Sequence, residues 1–531
     1  MVPLLRCGSP TDTAGTTNTG NARVAAVYPD HSPAANALVR LRPADYTADT
    51  VNALAKSRRN AIDIRTDNRG LALLQSIGNG SYTIEITDET GNAAMVGCRV
   101  DGGDAVIDSD TATLRPFAVV SGTAAPGVYI RVAGLERVVR VGADSLFEID
   151  DLPAGTHRLN VVSGAASTVL DSIATASGDT TTVRYASWRH SCRVVLNTTE
   201  RGADTPENVI GFPLLIRLDS SLLDFSEAAP GGSDVRFTGP DFTALPYEIE
   251  QWDTVAALAS IWVRVDTVYG NNDRQFVRMF WGNPGAESQS NGAAVFDSAD
   301  GWCGVWHMSA APGGAFPDAS GRRGSGRAEG FSVDRQSGII GGTHLFDGID
   351  DRIRIESPAG GWTADTFTVS AWIRLADAAH DHYHRIVTTK RFWSDSLGFS
   401  FVVNPAHEIG PPVGTQDYLS VWGSDSLNFA RAYDIGWTAS TWYHVCAVVV
   451  DDSVGIYRDA EYVIDPDSRS TKAIGSIKPT TRPLFIGGNT QDMFKGGIDE
   501  VRLTEGIRSN AWIKLTYENQ RREQSLVRFH R

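Results

Sequence analysis

The stretch LPYEIEQWD, residues 245–253, places Glu248 and Glu250 two positions apart, with Asp253 three further on, in a segment whose composition reads as a β-strand. Residues i and i+2 of a strand share a face and lie roughly 6.6 Å apart at about 3.3 Å per residue. Carboxylate pairs that cleave glycosidic bonds lie about 5–9.5 Å apart, so the spacing admits acid–base chemistry on a sugar. The alternation offers a second reading. Leu245, Tyr247, Ile249 and Gln251 make a mostly apolar face, with Pro246, Glu248, Glu250 and Trp252 on the other, and the acids are then expected to face water. His307 and Cys303 share GWCGVWHM without an evident third partner and are expected to serve packing. HDHYH, residues 380–384, would align His380, His382 and His384 on one face if extended, which suits a transition metal; no acid or Cys completes the set, and a polar loop tip is expected. No Ser-His-Asp or Cys-His set can be assembled, and no Gly-rich loop opens a helix after a strand. The expected list of catalytic residues is empty.

The elements that must position these residues are β-strands. A chain of 531 residues is too long for one core and suggests roughly three or four domains. Its 52 Gly, abundant Thr and Val, and turn signals every ten or so residues point to an all-β chain of tandem sandwiches. Lys and Arg number 48 against 63 Asp and Glu, a net charge of -15, with no basic run to follow a phosphate backbone; nucleic acid is excluded as a partner. Five scattered cysteines hold no C-x-x-C pair and read mostly as buried thiols. No apolar run reaches the roughly 18–20 residues of a membrane helix. At the N-terminus, LLRC before a Ser/Thr/Gly/Asn-rich tether resembles the end of a bacterial lipoprotein signal and implies a lipid anchor at Cys7, in an outer-membrane or otherwise extracytoplasmic setting. The apolar region is missing and Arg6 stands where a small residue precedes the lipidated Cys, so the signal reads as truncated or mis-started; a disordered tail with a chance Cys is the alternative.

After the tether of residues 1–21, TDNRGLALLQSIGNGSYTIEITD returns about 75 residues later as VGADSLFEIDDLPAGTHRLNVVSG, with Gly80 and Gly155 at equivalent turns. Each repeat, 22–113 and 114–187, resembles the carboxypeptidase regulatory-like module, a small sandwich that implies spacing rather than chemistry. A polar, helix-like insertion, ADYTADTVNALAKSRRNA, lies inside the first. Residues 188–308, through GFPLLIRLDSS, LPYEIEQWD, ASIWVRVDTVYGNNDRQFVRMFWGNP and GWCGVWHM, are similar to the bacterial domain-of-unknown-function family 2341, a resemblance that brings no activity. EIEQWD also resembles the E-I-D-x-x-E signature of glycoside hydrolase family 16, but two of its three acids differ and the unit is about half the necessary size. Residues 309–522 carry FDGIDDRIRIESP, DTFTVSAWIRLAD, TWYHVCAVVVDDSVGIYRD, RPLFIGGN and FKGGIDEVRL in the order of a LamG-like, concanavalin A-like jelly roll. Ser509 can cap a short helix, NAWIKLTYENQRREQ, with Trp512 and Leu515 inward, before a tail at 523–531.

The LamG-like resemblance implies one structural calcium ion, with Asp347, Asp351 and Asp499 in the family's positions; the alternative is that Asp347-Gly348 makes a hairpin turn and Asp499 bonds backbone amides. Trp393, Trp422, Tyr433 and Trp437 fall in segments that read as loops or strand edges, near Asp395, Asp425, Asn428 and Arg431, and would form a carbohydrate-binding platform; Trp372 and Trp442 read as core. The expectation is a non-catalytic cell-surface or secreted binding and adhesion protein, two stalk sandwiches carrying a head that recognises polysaccharide, surface glycan or a surface protein. A polysaccharide hydrolase using Glu248 and Glu250, or a structural envelope component, are the alternatives.

Overall fold

The computed structural model describes residues 19–48, 61–101, 105–163, 166–183, 188–240, 242–309, 314–331, 336–357, 361, 365–377, 382–404, 418–423, 429–432, 436–463, 474 and 477–530. Cys7, most of the helix-like insertion, His380, Asp381, Asp425, Asn428 and Tyr433 lie outside them. The chain forms two compact units, one of residues Met1–Ser191 with Pro240–Phe242, the other of Cys192–Gly239 and Thr243–Arg531.

The first unit contains two sandwiches of the same topology. In the first, Thr19–Val27 pairs antiparallel with Leu71–Gly78 and parallel with Thr111–Thr113; in the second, Ala118–Thr123 pairs antiparallel with Leu146–Leu152 and parallel with Thr180–Val183. The facing sheets run Ile62–Arg65, Leu38–Pro43, Gly80–Thr87, Asn92–Val100 and, correspondingly, Arg137–Arg140, Tyr129–Val132, Gly155–Ser163, Ala166–Thr175. Gly80 and Gly155 open equivalent strands at φ +150° and +148°, a conformation that side chains other than glycine's rarely adopt. The repeat in the sequence is therefore a repeat of backbone geometry. Arg42 of the first sandwich, itself buried, bonds Asp63 and, across to the second sandwich, Glu136, each at 2.6 Å. Arg137 bonds back to Glu85 of the first at 2.8 Å.

In the second unit a three-stranded sheet, ordered Val209–Asp219, Leu258–Val268, Tyr247–Asp253, is buried along nearly the whole of its first two strands. Near-continuous burial means that both faces are covered, as in sheets sandwiched between layers. One apolar core runs from Phe212, Trp262 and Phe296 of this region to Trp372, Cys446 and Val448 of the jelly roll, so the junction expected at 308/309 lies inside a single compact unit. Strands are exchanged as well. Trp302–Trp306 pairs with Lys495–Glu505 of the jelly roll, and Val527–His530, within the segment expected to be a tail, pairs with His190–Leu196. Val527 and Leu526 are buried in the core, which is what holds that segment in place.

Among the described residues the jelly roll has two eight-stranded sheets around a second core. Lys495–Glu505 is central to one of them, flanked by Gly342–Asp347 and Phe367–Leu375. The helix Asn510–Gln520 begins at Ser509, whose hydroxyl accepts from Trp512 N at 3.2 Å, and buries Trp512 and Leu515. Its Asn519 accepts from Leu215 N (2.7 Å) and donates to Leu215 O (3.0 Å), supplying the open edge of Val209–Asp219 with a strand-like partner. Trp372 is core, and Trp442 packs partly buried against it. Cys98, Cys192, Cys303 and Cys446 are buried free thiols. Among the described residues no helix is long and apolar enough to cross a membrane.

His444 is buried against Trp372 and Tyr517, and this burial, with Arg502 nearby, pulls its imidazole down to about 3. The unfolded imidazole titrates near 6.5, so between these values the unfolded chain binds the extra proton and stability falls as pH drops. We expect the urea-unfolding free energy to lose up to about 1.4 kcal/mol per pH unit through this group between pH 6 and 4, and His444→Leu to flatten that dependence.

Candidate functional site

Glu248 and Glu250 do not lie on an open outer face; Glu250 is almost wholly covered and Glu248 is reached only from a cleft. The expected outer face of their strand is covered by the jelly roll, and both carboxylates converge on His307. Glu248 Oε2 lies 3.2 Å from His307 Nε2; Glu250 Oε2 lies 3.6 Å from Nδ1. The side chain of Glu250 is 2% exposed and that of Glu248 17%. A register shift between Ile249 and Gln251 leaves Glu250 as an extra residue in the strand. The bulge resets the alternation, so that Tyr247 and Trp252, five positions apart, pack on Phe237 and Phe225.

His307 also has the partners its local sequence did not reveal. Its Nδ1 is 2.9 Å from Glu500 Oε1, and Glu500 Oε2 accepts from Arg502 Nη2 at 2.6 Å. Trp262 stacks on the imidazole at 5.8 Å and 17°, and its Nε1 donates to Glu250 Oε2 at 2.8 Å; the Arg502 guanidinium lies 4.3 Å from the Trp262 ring centre. Glu500 reaches this position through a second bulge, opposite Ser370–Trp372, at φ +49°. A non-glycine residue held there is a local strain that the surrounding strands enforce. Gly292 and Gly341 make room for the acids: a Cβ on either would lie 2.8 Å from Glu248 Oε1 or 2.6 Å from Glu250 Oε1.

The charges are set by competition between burial and partners. Burial alone would discharge His307, but Glu500, Glu250 and Glu248 overcome it and raise its pKa well above the usual value. Burial also opposes ionisation of Glu500, yet His307 and Arg502 bring it down to about 2. Glu250 is pushed up to about 7, chiefly by burial, with His307 opposing. Glu248, Glu250, His307 and Ser309 supply the polar lining of a cleft of about 290 Å³ otherwise formed by apolar groups such as Met308, Phe316 and Pro317. Titratable groups shifted by burial and by one another, set on a cleft, make this cluster the candidate site; structural ion-pair networks share the same shifts.

The expected calcium set does not converge as a whole. Asp499 turns its carboxylate to the amides of Ile339 (2.8 Å), Ile340 (3.2 Å) and its own neighbour Glu500 (3.0 Å), the amide-binding role weighed as the alternative. Asp347 Oδ1 accepts from Ile349 N and Asp350 N, forming the hairpin turn. Asp347, Asp350 and Asp351 do bring carboxylate oxygens within 4.8 Å of one another. Asp351 is fully buried, and its Oδ1 has no hydrogen-bond partner among the described residues, a donor set that fits a hard cation.

The expected aromatic platform is divided. Trp437 is buried in the jelly-roll core, edge-on to Tyr443, where its large apolar ring is removed from water. Trp393 and Trp422 are half-buried and 4.7 Å apart at 53°, and Tyr383, not among the residues expected, extends the row at 4.9 Å from Trp393. Arg385, ion-paired with Asp492 at 2.9 Å, sits 4.3 Å from the Trp393 ring centre. Trp422 Nε1 donates to Ser420 Oγ, which bonds Asn404 Oδ1, while Asn404 Nδ2 is buried without a partner among the described residues. Asp395 holds the amides of Arg391 and Phe392 and the Arg482 guanidinium. His382 and His384 rings are 4.5 Å apart, and His384 Nδ1 accepts from Lys495 N.

Residues 347–514 match the family model of the concanavalin A-like lectin/glucanases superfamily. The jelly roll is a concanavalin A-like domain. Residues 231–308 match a domain of unknown function (DUF2341), which carries Glu248, Glu250 and His307, while Glu500 comes from the concanavalin A-like domain. No curated protein matches the chain. Solved structures similar to it include domain 4 of AbnA, a GH43 extracellular arabinanase from Geobacillus stearothermophilus, at 17% identity over 40% of this chain and 96% of that one, with a TM-score of 0.30. The binding domain of botulinum neurotoxin serotype D gives 14%, 42%, 51% and 0.31, so the chain spans about half of that protein's length. The CBM40 of the Ruminococcus gnavus IT-sialidase, bound to sialyllactose, gives 10%, 29%, 83% and 0.23.

Sequence reasoning stopped at Asp499 and passed over Glu500, the adjacent acid in GGIDEV. Replacing Glu500 by Gln leaves Arg502 and His307 buried without their shared counter-charge. Such a loss costs about 3–5 kcal/mol, and the expected result is a matching fall in unfolding free energy followed by tryptophan fluorescence in urea.

Proposed function

We propose that this is a glycan-binding protein of the extracytoplasmic space, whose concanavalin A-like domain holds polysaccharide against Trp393, Trp422 and Tyr383. The observation that carries this reading is the row of half-buried rings itself, lying beside buried polar side chains. Sugar recognition needs a flat apolar face for the pyranose C–H groups and fixed hydrogen-bonding groups at its rim. Arg385, Ser420 and Asn404, all buried, fix the rings from beneath, and the partly exposed Asp395–Arg482 pair, two residues on from Trp393, supplies polar groups for the rim. The two sandwiches of the first unit act as regulatory-like stalk modules; the ion pairs of Arg42 and Arg137 favour their moving as one body. Asp347, Asp350 and Asp351 hold a calcium ion that fixes the neighbouring hairpin, the orphaned Asp351 oxygen being its support. The protein is a binder rather than a hydrolase in this reading. Hydrolysis is the second reading, favoured by the placement of Glu248 and Glu250 on a cleft.

The test is binding and product release across plant, algal and bacterial polysaccharides, with calcium and with EDTA. We expect retention without new reducing ends, a roughly 10- to 30-fold loss for Trp393→Ala or Trp422→Ala, as for an aromatic anchor of a binding site, and lower thermal stability in EDTA that Asp351→Asn reproduces. Reducing ends that vanish in Glu248→Gln would establish the hydrolase instead, and failure to retain any polymer would remove the glycan reading.

A further inference from the structure

We propose that His307 Nδ1, Glu250 Oε2 and Glu500 Oε1 form a binding site for a divalent first-row transition metal, the DUF2341 region and the concanavalin A-like domain each contributing ligands. The site is separate from the Asp347–Asp351 hairpin and takes a different class of ion.

The first argument is one of valence. Two carboxylate oxygens address the same imidazole nitrogen, Glu500 at 2.9 Å and Glu250 at 3.6 Å, and Nδ1 carries at most one proton. The Nδ1 proton goes to Glu500, and Glu250 Oε2, held by Trp262, stands near the same nitrogen without bonding it; a doubly charged ion in place of that proton would engage both carboxylates at once. The second argument is geometric. Ligands about 2.1 Å from a metal stand about 3.0 Å apart at octahedral angles and about 3.4 Å apart at tetrahedral ones. The two measured separations fall close to that range, and each of the three residues offers one ligand atom within 4.8 Å of the other two.

The surroundings supply the outer contacts that metal ligands ordinarily have. The far nitrogen of His307 meets Glu248, the carboxylate–histidine arrangement that fixes ring orientation and raises ligand basicity. Arg502 takes Glu500 Oε2 and leaves Oε1 for the ion. Ser309 Oγ donates to Glu250 Oε1 at 3.1 Å, and Trp262 steadies Glu250 Oε2 from the other side. His307 and Glu250 border the cleft, through which an ion would reach them. One imidazole with two carboxylates suits zinc, manganese or iron; calcium, which takes six to eight oxygens, is poorly served.

The experiment uses the full chain, stripped with chelator and titrated with Zn²⁺ by calorimetry in two buffers of different ionisation enthalpy, with Co²⁺ absorption as a spectroscopic readout. We expect one Zn²⁺ per chain with proton release, visible Co²⁺ bands, and both retained in Asp351→Asn. Glu248→Gln, which spares the ligands, should weaken Zn²⁺ by about 10- to 100-fold and alter the Co²⁺ spectrum, and His307→Gln should abolish both signals. Should His307→Gln not fold, Glu248→Gln decides. Absence of Zn²⁺ and Co²⁺ binding tighter than about 1 mM would overturn the proposal. So would binding unchanged in Glu248→Gln, or binding lost in Asp351→Asn.

Discussion

The second unit is organised around a buried ionised carboxylate. Glu500 lies wholly out of water, and taking such a charge into the interior is unfavourable by several kcal/mol unless it is matched on every side. His307 and Arg502 provide the match, and each comes with its own requirements. Arg502 lies over Trp262, and Trp262 in turn stacks on His307 and bonds Glu250. Moving any one of these groups leaves a charge or a polar atom uncompensated. The cluster thus fixes the register of Tyr247–Asp253 and Lys495–Glu505, two strands with no hydrogen-bonded pairing to each other in the sheets.

The same constraint accounts for the bulges. A regular strand would send Asp499 and Glu500 to opposite faces. The positive φ at Glu500 lets Asp499 tie down the turn at Ile339–Ile340 while Glu500 reaches His307. The extra residue at Glu250 similarly lets two acids enter a polar cluster while Tyr247 and Trp252 stay with the aromatic core. Local backbone irregularity is what reconciles charged and apolar packing in one layer.

These irregularities also mark the limit of what the sequence discloses. Period-2 alternation in segments such as TGNARVAAV carries over directly to alternating burial, and Ser509, Trp512 and Leu515 behave as capping and periodicity require. The repeated Gly80 and Gly155 were legible because only glycine readily takes their φ. Alternation fails for Glu248 and Glu250 because it assumes a regular strand with one open face, whereas a bulge falls at Glu250 and that face is covered apart from the cleft at Glu248. The partners of His307 are 59 and 193 positions away, beyond any local pattern. Trp393 and Trp422 are at the surface and Trp437 is not, yet all three stand in similar polar contexts, so composition alone could not separate them.

The pairing of Val527–His530 with His190–Leu196 has a consequence for biosynthesis. While the chain emerges from the ribosome, the sheet containing His190–Leu196 presents an unfilled edge throughout the time the whole jelly roll is being made. Closing that edge brings together segments from opposite ends of the unit, a non-local contact that forms late and slowly. Until then the exposed edge can accept a strand from another nascent chain, so self-association competes with correct closure during synthesis.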